Sequence, residues 1–285
     1  MKIMITGATG FVGRNLIKRI YKKKDWNILC LVRKKPDLDN LNNIKFHVGD
    51  IYSEKLNIYK KYGVPDILIH LAWSGLPNYQ ENFHLEKNLP NEKKFLTKGI
   101  NAGIKQIIIT GTCFEYGKLS GKLHEKMMGR PNTKYGQAKD LLRKYLEKKQ
   151  KHKNFTLQWV RLFYVFGSNQ KPNSLLPTLQ RSIYKKEKYF NIAEGKILRD
   201  FINIKLVAKF LVFLCKNKNL NGIINCCSGN PISIRDFVKI YLKKRNSKIK
   251  IRIGNFTKPE HEPEQYWGSA SKMLSSSFKF KNKFF

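Results

Sequence analysis

Lys2-Ile3-Met4-Ile5-Thr6-Gly7-Ala8-Thr9-Gly10-Phe11-Val12-Gly13 opens the chain, and its reading decides the fold. Met1 to Ile5 is a short apolar run, Gly7, Gly10 and Gly13 recur every third residue, and Asn15-Leu16-Ile17-Lys18-Arg19-Ile20 has helical apolar spacing. A buried strand therefore runs through a glycine turn into a helix. Glycines at such a turn let the backbone come within contact distance of a diphosphate, whose charge a helix N-terminus favours. The spacing departs by one residue from the commoner G-x-G-x-x-G, and an ordinary strand-to-helix turn is the plain alternative. The readable strand before it and helix after it favour a dinucleotide loop. Gly7, Thr9, Gly10, Phe11, Val12 and Gly13 are its expected contacts.

Bulk properties narrow the class. A chain of 285 residues can bury a large core, as one big domain or two closely joined ones. No apolar run reaches the roughly 18 residues of a membrane span, and Met1 leads straight into the strand without a signal-peptide pattern. A soluble, cytoplasmic protein with no membrane partner is the expectation. The five cysteines (Cys30, Cys113, Cys215, Cys226, Cys227) are odd in number and lack a C-x-x-C spacing. Reduced thiols follow, with neither a disulfide framework nor a metal site. The formal charge of +36 raises a nucleic-acid partner, yet the lysines are scattered over every predicted helix face and loop (Lys22-Lys23-Lys24, Lys148-Lys149, Lys243-Lys244). Solvated faces explain them, and no nucleic acid is expected. A positive field still attracts anionic phosphates.

Trp26 to Val32 reads as a second strand ending at Arg33. In a dinucleotide fold this strand end meets the adenine ribose, where a base pairs with a 2′-phosphate. Arg33 therefore points to NADP(H) over NAD(H), one more surface arginine being the alternative. A third strand, Ile44 to Val48, leads to Gly49-Asp50-Ile51, where Asp50 can accept from the adenine amino group or serve as a turn residue. Asp66 to Ala72 is a continuous apolar run, as a strand covered on both faces requires, and His70 within it reads as a packed, hydrogen-bonded residue. A helix over about 90–102 precedes Lys105-Gln106-Ile107-Ile108-Ile109 and then Thr110-Gly111-Thr112-Cys113-Phe114-Glu115-Tyr116-Gly117. Such alternation predicts an α/β Rossmann fold, a doubly wound parallel sheet with its chemistry beyond the carboxyl ends of the strands. Residues 1–165 are expected to form the dinucleotide-binding domain. A smaller α/β substrate-binding lobe is expected over 166–285, with segments returning to the first half, a helix over 206–214, a strand over 222–226 and a helix capped by Ser233. The terminal Phe/Lys alternation over 278–285 fits a strand, a frayed tail or a weak interface.

Pro131-Asn132-Thr133-Lys134-Tyr135-Gly136-Gln137-Ala138-Lys139 opens a long amphipathic helix. Tyr135 and Lys139, four apart, share one helical face. A phenol is a poor acid-base group at neutral pH, and a nearby ammonium is expected to lower its pKa. Thr112 can hold a substrate oxygen while Tyr135 moves the proton, beside a hydride carrier. A helix that happens to carry a Tyr and a Lys is the plain alternative.

Taken in order, the glycine loop, Gly49-Asp50-Ile51, His70-Leu71-Ala72, Thr112 four residues before Tyr116-Gly117, and Tyr135-x-x-x-Lys139 resemble the extended short-chain dehydrogenase/reductase family of nucleotide-sugar enzymes, of the NAD-dependent epimerase/dehydratase type. Later stretches, Val160 to Gly167, Leu198 to Ile202 and Tyr266 to Lys272, resemble further landmarks of that family, so the likeness runs nearly the full length. The resemblance implies a catalytic trio of Thr112, Tyr135 and Lys139. It also implies dinucleotide contacts from Leu71, Ala72 and Thr110, and a nucleotide-sugar site built from Trp73, Tyr164, Asn173, Ser174, Leu175 and Arg199. Arg199 is expected at the sugar-nucleotide diphosphate, a salt bridge with Asp200 being the alternative. Tyr79 and His84, like Trp73, can stack on the ligand or fill core.

Departures from the family's patterns choose among its activities. Dehydratases of the family carry an Asp-Glu pair after the catalytic Thr. Here Cys113-Phe114 stands there, and Glu115, one place further, points to the other side if the segment is extended. Epimerase/reductases that enolise use a Cys and a His, whereas Cys113 is one place early and Asn169 replaces the His. Tyr164 stands where UDP-galactose 4-epimerases usually carry an Asn, and Lys258-Pro259 stands where they carry an Arg ahead of the Tyr-Trp segment. The closest resemblance is to nucleotide-linked 4-keto-6-deoxyhexose reductases. It implies NADPH-dependent reduction of a C4 ketone in bacterial surface-glycan synthesis by a homodimer. A 4-epimerase with tightly held NAD and a catalytically silent dinucleotide-binding regulator are the alternatives.

Overall fold

The strand of the glycine stretch sits inside the main sheet of the computed structural model, which describes residues 1–36, 42–53, 58–193, 197–254 and 263–280. Lys258, Pro259 and the last five residues of the tail lie outside the described residues. The chain begins with β1 (Lys2–Thr6), α1 (Phe11–Ile20), β2 (Asn27–Val32) and β3 (Ile44–Val48). Next come α2 (Ile58–Tyr62), β4 (Ile67–His70), a π-helical turn (His84–Asn88) running into α3 (Leu89–Ala102), and β5 (Gln106–Thr112). A 3-10 turn (Cys113–Tyr116) leads to β6 (Gly121–Leu123), α4 (Lys134–Gln150), β7 (Thr156–Leu162) and β8 (Tyr164–Phe166). Then follow α5 (Leu175–Tyr184), β9 (Tyr189–Ile192), β10 (Leu198–Arg199), β11 (Phe201–Asn203), α6 (Ile204–Leu214) and β12 (Gly222–Cys226). The described chain closes with β13 (Ile232–Ser233), α7 (Ile234–Lys244), β14 (Lys250–Ile253), β15 (Gln265–Gly268) and α8 (Ser271–Leu274).

Seven strands pair in the order β12-β7-β5-β4-β1-β2-β3, every pairing parallel. Order runs outward from β1 in both directions, so the strand ends part beside it and open a crevice there. β4 and β5 are buried at every position, which accounts for the aliphatic runs Ile67-Leu68-Ile69 and Ile107-Ile108-Ile109 within them. Helix α1 packs on α6, burying Leu16, Ile17 and Ile20 against Val207, Phe210 and Leu211. Each such side chain contributes about 1.5–3 kcal/mol.

Helix starts follow their caps. The long helix expected from Pro131 begins at Lys134, because the Thr133 hydroxyl accepts from Gly136 N–H at 3.0 Å and so marks the first turn. Asn203 likewise accepts from Lys205 N–H at 2.9 Å and starts α6 two residues before the position expected. Ser233 caps α7 as its sequence predicts. A second sheet, β13-β10-β15-β6, and the pairs β11-β8 and β14-β9 follow, and a separate core includes Phe166, Leu179, Phe201, Phe237 and Tyr241. Phe278, at the start of the tail, is buried against Phe210 and Phe213.

Candidate active site

A cleft of about 510 Å³ opens where the carboxyl ends of β1 to β4 part. Gly7 holds φ +71°, and a Cβ there would lie 2.7 Å from Ala72 N, so only glycine lets β1 turn away so close to β4. A Cβ on Gly13 would lie 2.2 Å from Gly7 O, which keeps α1 tight under the turn. Gly10 is the extended N-cap of α1, without a side chain to occupy the helix's open amides. This bare cradle of backbone donors at a helix N-terminus fits a diphosphate.

Of the expected dinucleotide contacts, Gly7, Thr9, Gly10, Arg33, Asp50, Ile51, Leu71 and Ala72 line the cleft, and so does Trp73. Phe11 and Val12 are half-buried in the first turn of α1, Gly13 is buried beneath the loop, and Thr110 is buried in β5. Tyr52, Asn88 and Asn91 also line the cleft and carry no motif by which sequence alone could find them. Asp50 Oδ1 accepts from Tyr52 N–H at 3.0 Å, a turn that presents both residues together.

The end of β5 and the start of α4 bring Thr112, Tyr135 and Lys139 together. Thr112, whose hydroxyl accepts from Phe114 N–H at 3.3 Å, stands near enough to the Tyr135 phenol to draw its pKa down. Tyr135 N–H donates to Tyr79 O at 3.0 Å, and its ring lies 5.7 Å from Trp73, 5.7 Å from Tyr79 and 5.4 Å from His84. One turn on, Lys139 Nζ donates to Thr110 O at 2.9 Å and stands 4.0 Å from the centre of the Trp73 ring.

Electrostatics at this pair differ from the expectation. Burial pushes the Tyr135 phenol above its ordinary value, with Tyr79, Glu115 and Cys113 adding to the rise and the Thr112 hydrogen bond opposing it. Lys139 is itself pulled down to about 8 by burial, which Glu92 and Glu115 oppose. Desolvation governs the phenol, while the Lys139 ammonium is turned to the Thr110 carbonyl and the Trp73 indole face.

Glu115 also departs from the expected geometry. Its segment is a 3-10 turn rather than extended, and the buried carboxylate folds back to accept from Thr112 N–H at 2.8 Å. Trp159 Nε1 and Arg161 Nε, at 2.9 Å and 2.8 Å, complete its shell.

Beside the trio, His84 is fully buried: Trp73 Nε1 donates to its Nδ1 at 3.1 Å, and its Nε2–H donates to Asn78 O at 2.9 Å. Burial lowers its pKa from 6.5, Lys139 adding to the fall and the Asn78 carbonyl opposing it. A proton on Nδ1 would set two donors face to face. Because the folded value is depressed, this clamp is complete above the unfolded value of 6.5 and is lost as pH falls below it. Melting temperature should therefore drop between about pH 7 and 5 more steeply in the native chain than in His84→Leu, and parallel curves would refute the assignment.

Arg199 is buried on β10, where Nη1 donates to Leu198 O at 2.9 Å and Glu264 O at 3.0 Å, and its guanidinium lies 5.2 Å from the centre of the Tyr164 ring. Asp200, the alternative partner for Arg199, accepts from the backbone N–H groups of Ser228, Gly229 and Gly268 at 2.6, 3.0 and 3.2 Å. Asn173 is exposed and Ser174 and Leu175 form the start of α5; among the described residues no hydrogen bond joins them to Thr112 or Tyr135. All five cysteines are buried as thiols. Among the described residues no group of His, Cys, Asp or Glu is placed to hold a metal ion, and no helix is long and apolar enough to cross a membrane.

A Rossmann cleft beside a Thr-Tyr-Lys trio is the arrangement of a nicotinamide-dependent short-chain enzyme. Over residues 3–227 the chain matches the model of the NAD dependent epimerase/dehydratase family, and it belongs to that family. It is 30% identical over 273 residues to dTDP-6-deoxy-L-talose 4-dehydrogenase (NAD(+)) of Aggregatibacter actinomycetemcomitans, spanning 94% of this chain and 100% of that protein. GDP-6-deoxy-D-talose 4-dehydrogenase of the same organism is 24% identical over 280 residues, 96% of this chain and 90% of that one. Among solved structures, UDP-N-acetylglucosamine 4-epimerase from Methanobrevibacter ruminantium M1, in complex with UDP-N-acetylmuramic acid, superposes with a TM-score of 0.85 at 22% identity, covering 99% of this chain and 93% of that chain.

Proposed function

We propose that the chain carries out reversible oxidoreduction at C4 of a nucleotide-linked 6-deoxyhexose, poised to reduce the 4-ketone. The observation that carries this reading is the packing of Tyr135 and Lys139, 5.7 Å and 4.0 Å from the ring of Trp73, which lines the glycine cleft. A nicotinamide dinucleotide held by Gly7, Gly10, Asp50 and Ala72 would supply the hydride. Tyr135, kept protonated by burial, gives its proton to the sugar oxygen as that oxygen gains negative charge. An alkoxide is more basic than a phenolate, so even a raised phenol donates downhill. The reverse reaction must begin by ionising that same buried phenol, which is the harder task. Dehydrogenase and ketoreductase are two directions of one reaction, and the protonated Tyr135 is the form that starts the second. Thr112 holds the oxygen, and Lys139 keeps positive charge near it below about pH 8.

Glu115 supports the choice within the family. Its carboxylate is engaged by Thr112, Trp159 and Arg161 and cannot shuttle the protons of a dehydration. Arg33, exposed at the cleft rim, favours NADP(H), although the most similar of the relatives above is named for NAD(+). The same hydride transfer run twice on a rotating sugar would give a 4-epimerase, which retains its dinucleotide.

The test is a panel of dTDP- and GDP-linked 4-keto-6-deoxyhexoses with NADPH or NADH, followed by the absorbance of the reduced nicotinamide. Stoichiometric consumption with one sugar is expected, and faster with NADPH. Interconversion of C4 epimers without net consumption would establish the epimerase instead, and dinucleotide binding without turnover on any sugar the silent regulator.

A further inference from the structure

A run of polar groups behind the cleft takes no part in the chemistry above. Thr6, His70 and Glu92 are each 0% exposed, although none is apolar. Ala72 N–H donates to Thr6 Oγ1 at 3.3 Å, and that oxygen lies 2.8 Å from His70 Nδ1. His70 Nε2 lies 2.6 Å from Glu92 Oε2, while Tyr52 O–H donates to Glu92 Oε1 at 2.7 Å. One arrangement of protons satisfies every group. Carboxylate oxygens accept, so His70 carries its proton on Nε2; Nδ1 then accepts from the Thr6 hydroxyl, whose oxygen accepts from the Ala72 amide.

Both ends of the run stand in the cleft wall. Tyr52 follows β3 and Ala72 follows β4, and both line the cleft. Phe95 seats the two rings between them, stacked on His70 at 5.4 Å and edge-on to Tyr52 at 6.5 Å. Ala72 N is also the atom that a Cβ on Gly7 would strike, so the amide held by Thr6 is the one against which the glycine loop rests. Well-packed apolar residues of similar volume would serve stability as well as a buried His and Glu. What the polar run adds is direction: it fixes a hydroxyl on one side of the cleft and an amide on the other.

We propose that Glu92 is a positioning residue for the dinucleotide, setting the adenine end of the cleft through Tyr52 on one side and through His70, Thr6 and Ala72 on the other. Tyr52 is then the wall on which the adenylate half rests, beside Asp50. This inference rests on the reading of the cleft as a dinucleotide site. Glu92 also reaches the catalytic end, where its charge opposes the fall that burial imposes on Lys139.

Calorimetry on the purified full chain tests it, with ADP-ribose and nicotinamide mononucleotide as probes of the two halves. Glu92→Gln and the milder Tyr52→Phe should each weaken ADP-ribose binding about tenfold, with nicotinamide mononucleotide affected less than about twofold. Because one hydrogen bond joins the pair, the double variant should be no weaker than the worse single one. Equal losses for both probes, additive losses, or unchanged ADP-ribose affinity in folded Tyr52→Phe overturn the role of Glu92 and leave the cleft reading standing. Failure of the unaltered chain to bind NADPH, NADH or ADP-ribose overturns both.

Discussion

Tyr135→Phe is expected to lower turnover by about 100- to 10,000-fold while changing NADPH affinity by less than about threefold. The phenylalanine ring keeps its packing against Trp73, Tyr79 and His84, so the wall of the site stands. Lost is the hydroxyl proposed to give up the proton. Single-turnover kinetics with the keto-sugar substrate separate this from slow product release. A variant that turns over within tenfold of the native chain would move the proton transfer to another group.

Glu115→Ala should cost about 3–5 kcal/mol of folding stability, read from the denaturant midpoint. The buried Glu115 carboxylate accepts from Arg161, Trp159 and the Thr112 amide, and the buried Arg161 guanidinium also lies 4.3 Å from the centre of the Tyr116 ring. Removing the acid leaves the guanidinium's charge uncompensated in the core. Glu115→Gln keeps an acceptor for Trp159 and should lose less. A loss below about 1 kcal/mol for the alanine variant would mean that water enters to replace the carboxylate.

The parts legible in sequence are those whose cause is local. Gly7, Gly10 and Gly13 announce a turn that other residues cannot make, and β4 announces burial on both faces by a continuous apolar run. Tyr135 and Lys139 share a helical face by spacing alone. Their electrostatics are not legible, because the burial that raises Tyr135 and lowers Lys139 comes from Trp73, Tyr79 and His84 on a distant loop. Glu115 escapes a sequence reading for a related reason: a 3-10 turn, stabilised by Thr112 capping from one side and Glu115 from the other, replaces the extended segment expected. The run from Thr6 to Glu92 and Tyr52 joins four elements, and no periodicity connects them.

The position of β12 bears on how the molecule is made. β12 (Gly222–Cys226) covers the outer edge of β7 in the main sheet, more than fifty residues after β7 ends, and α6 must arrive before it to cover α1. A nascent chain emerging from the ribosome therefore carries β7 as a bare, apolar edge until α5 through α6 have been synthesised, and such edges recruit other chains. Slow folding with many long-range contacts follows. Chaperone dependence should be greatest for products stalled between β7 and β12, and a fragment ending at residue 165 should aggregate rather than bind dinucleotide.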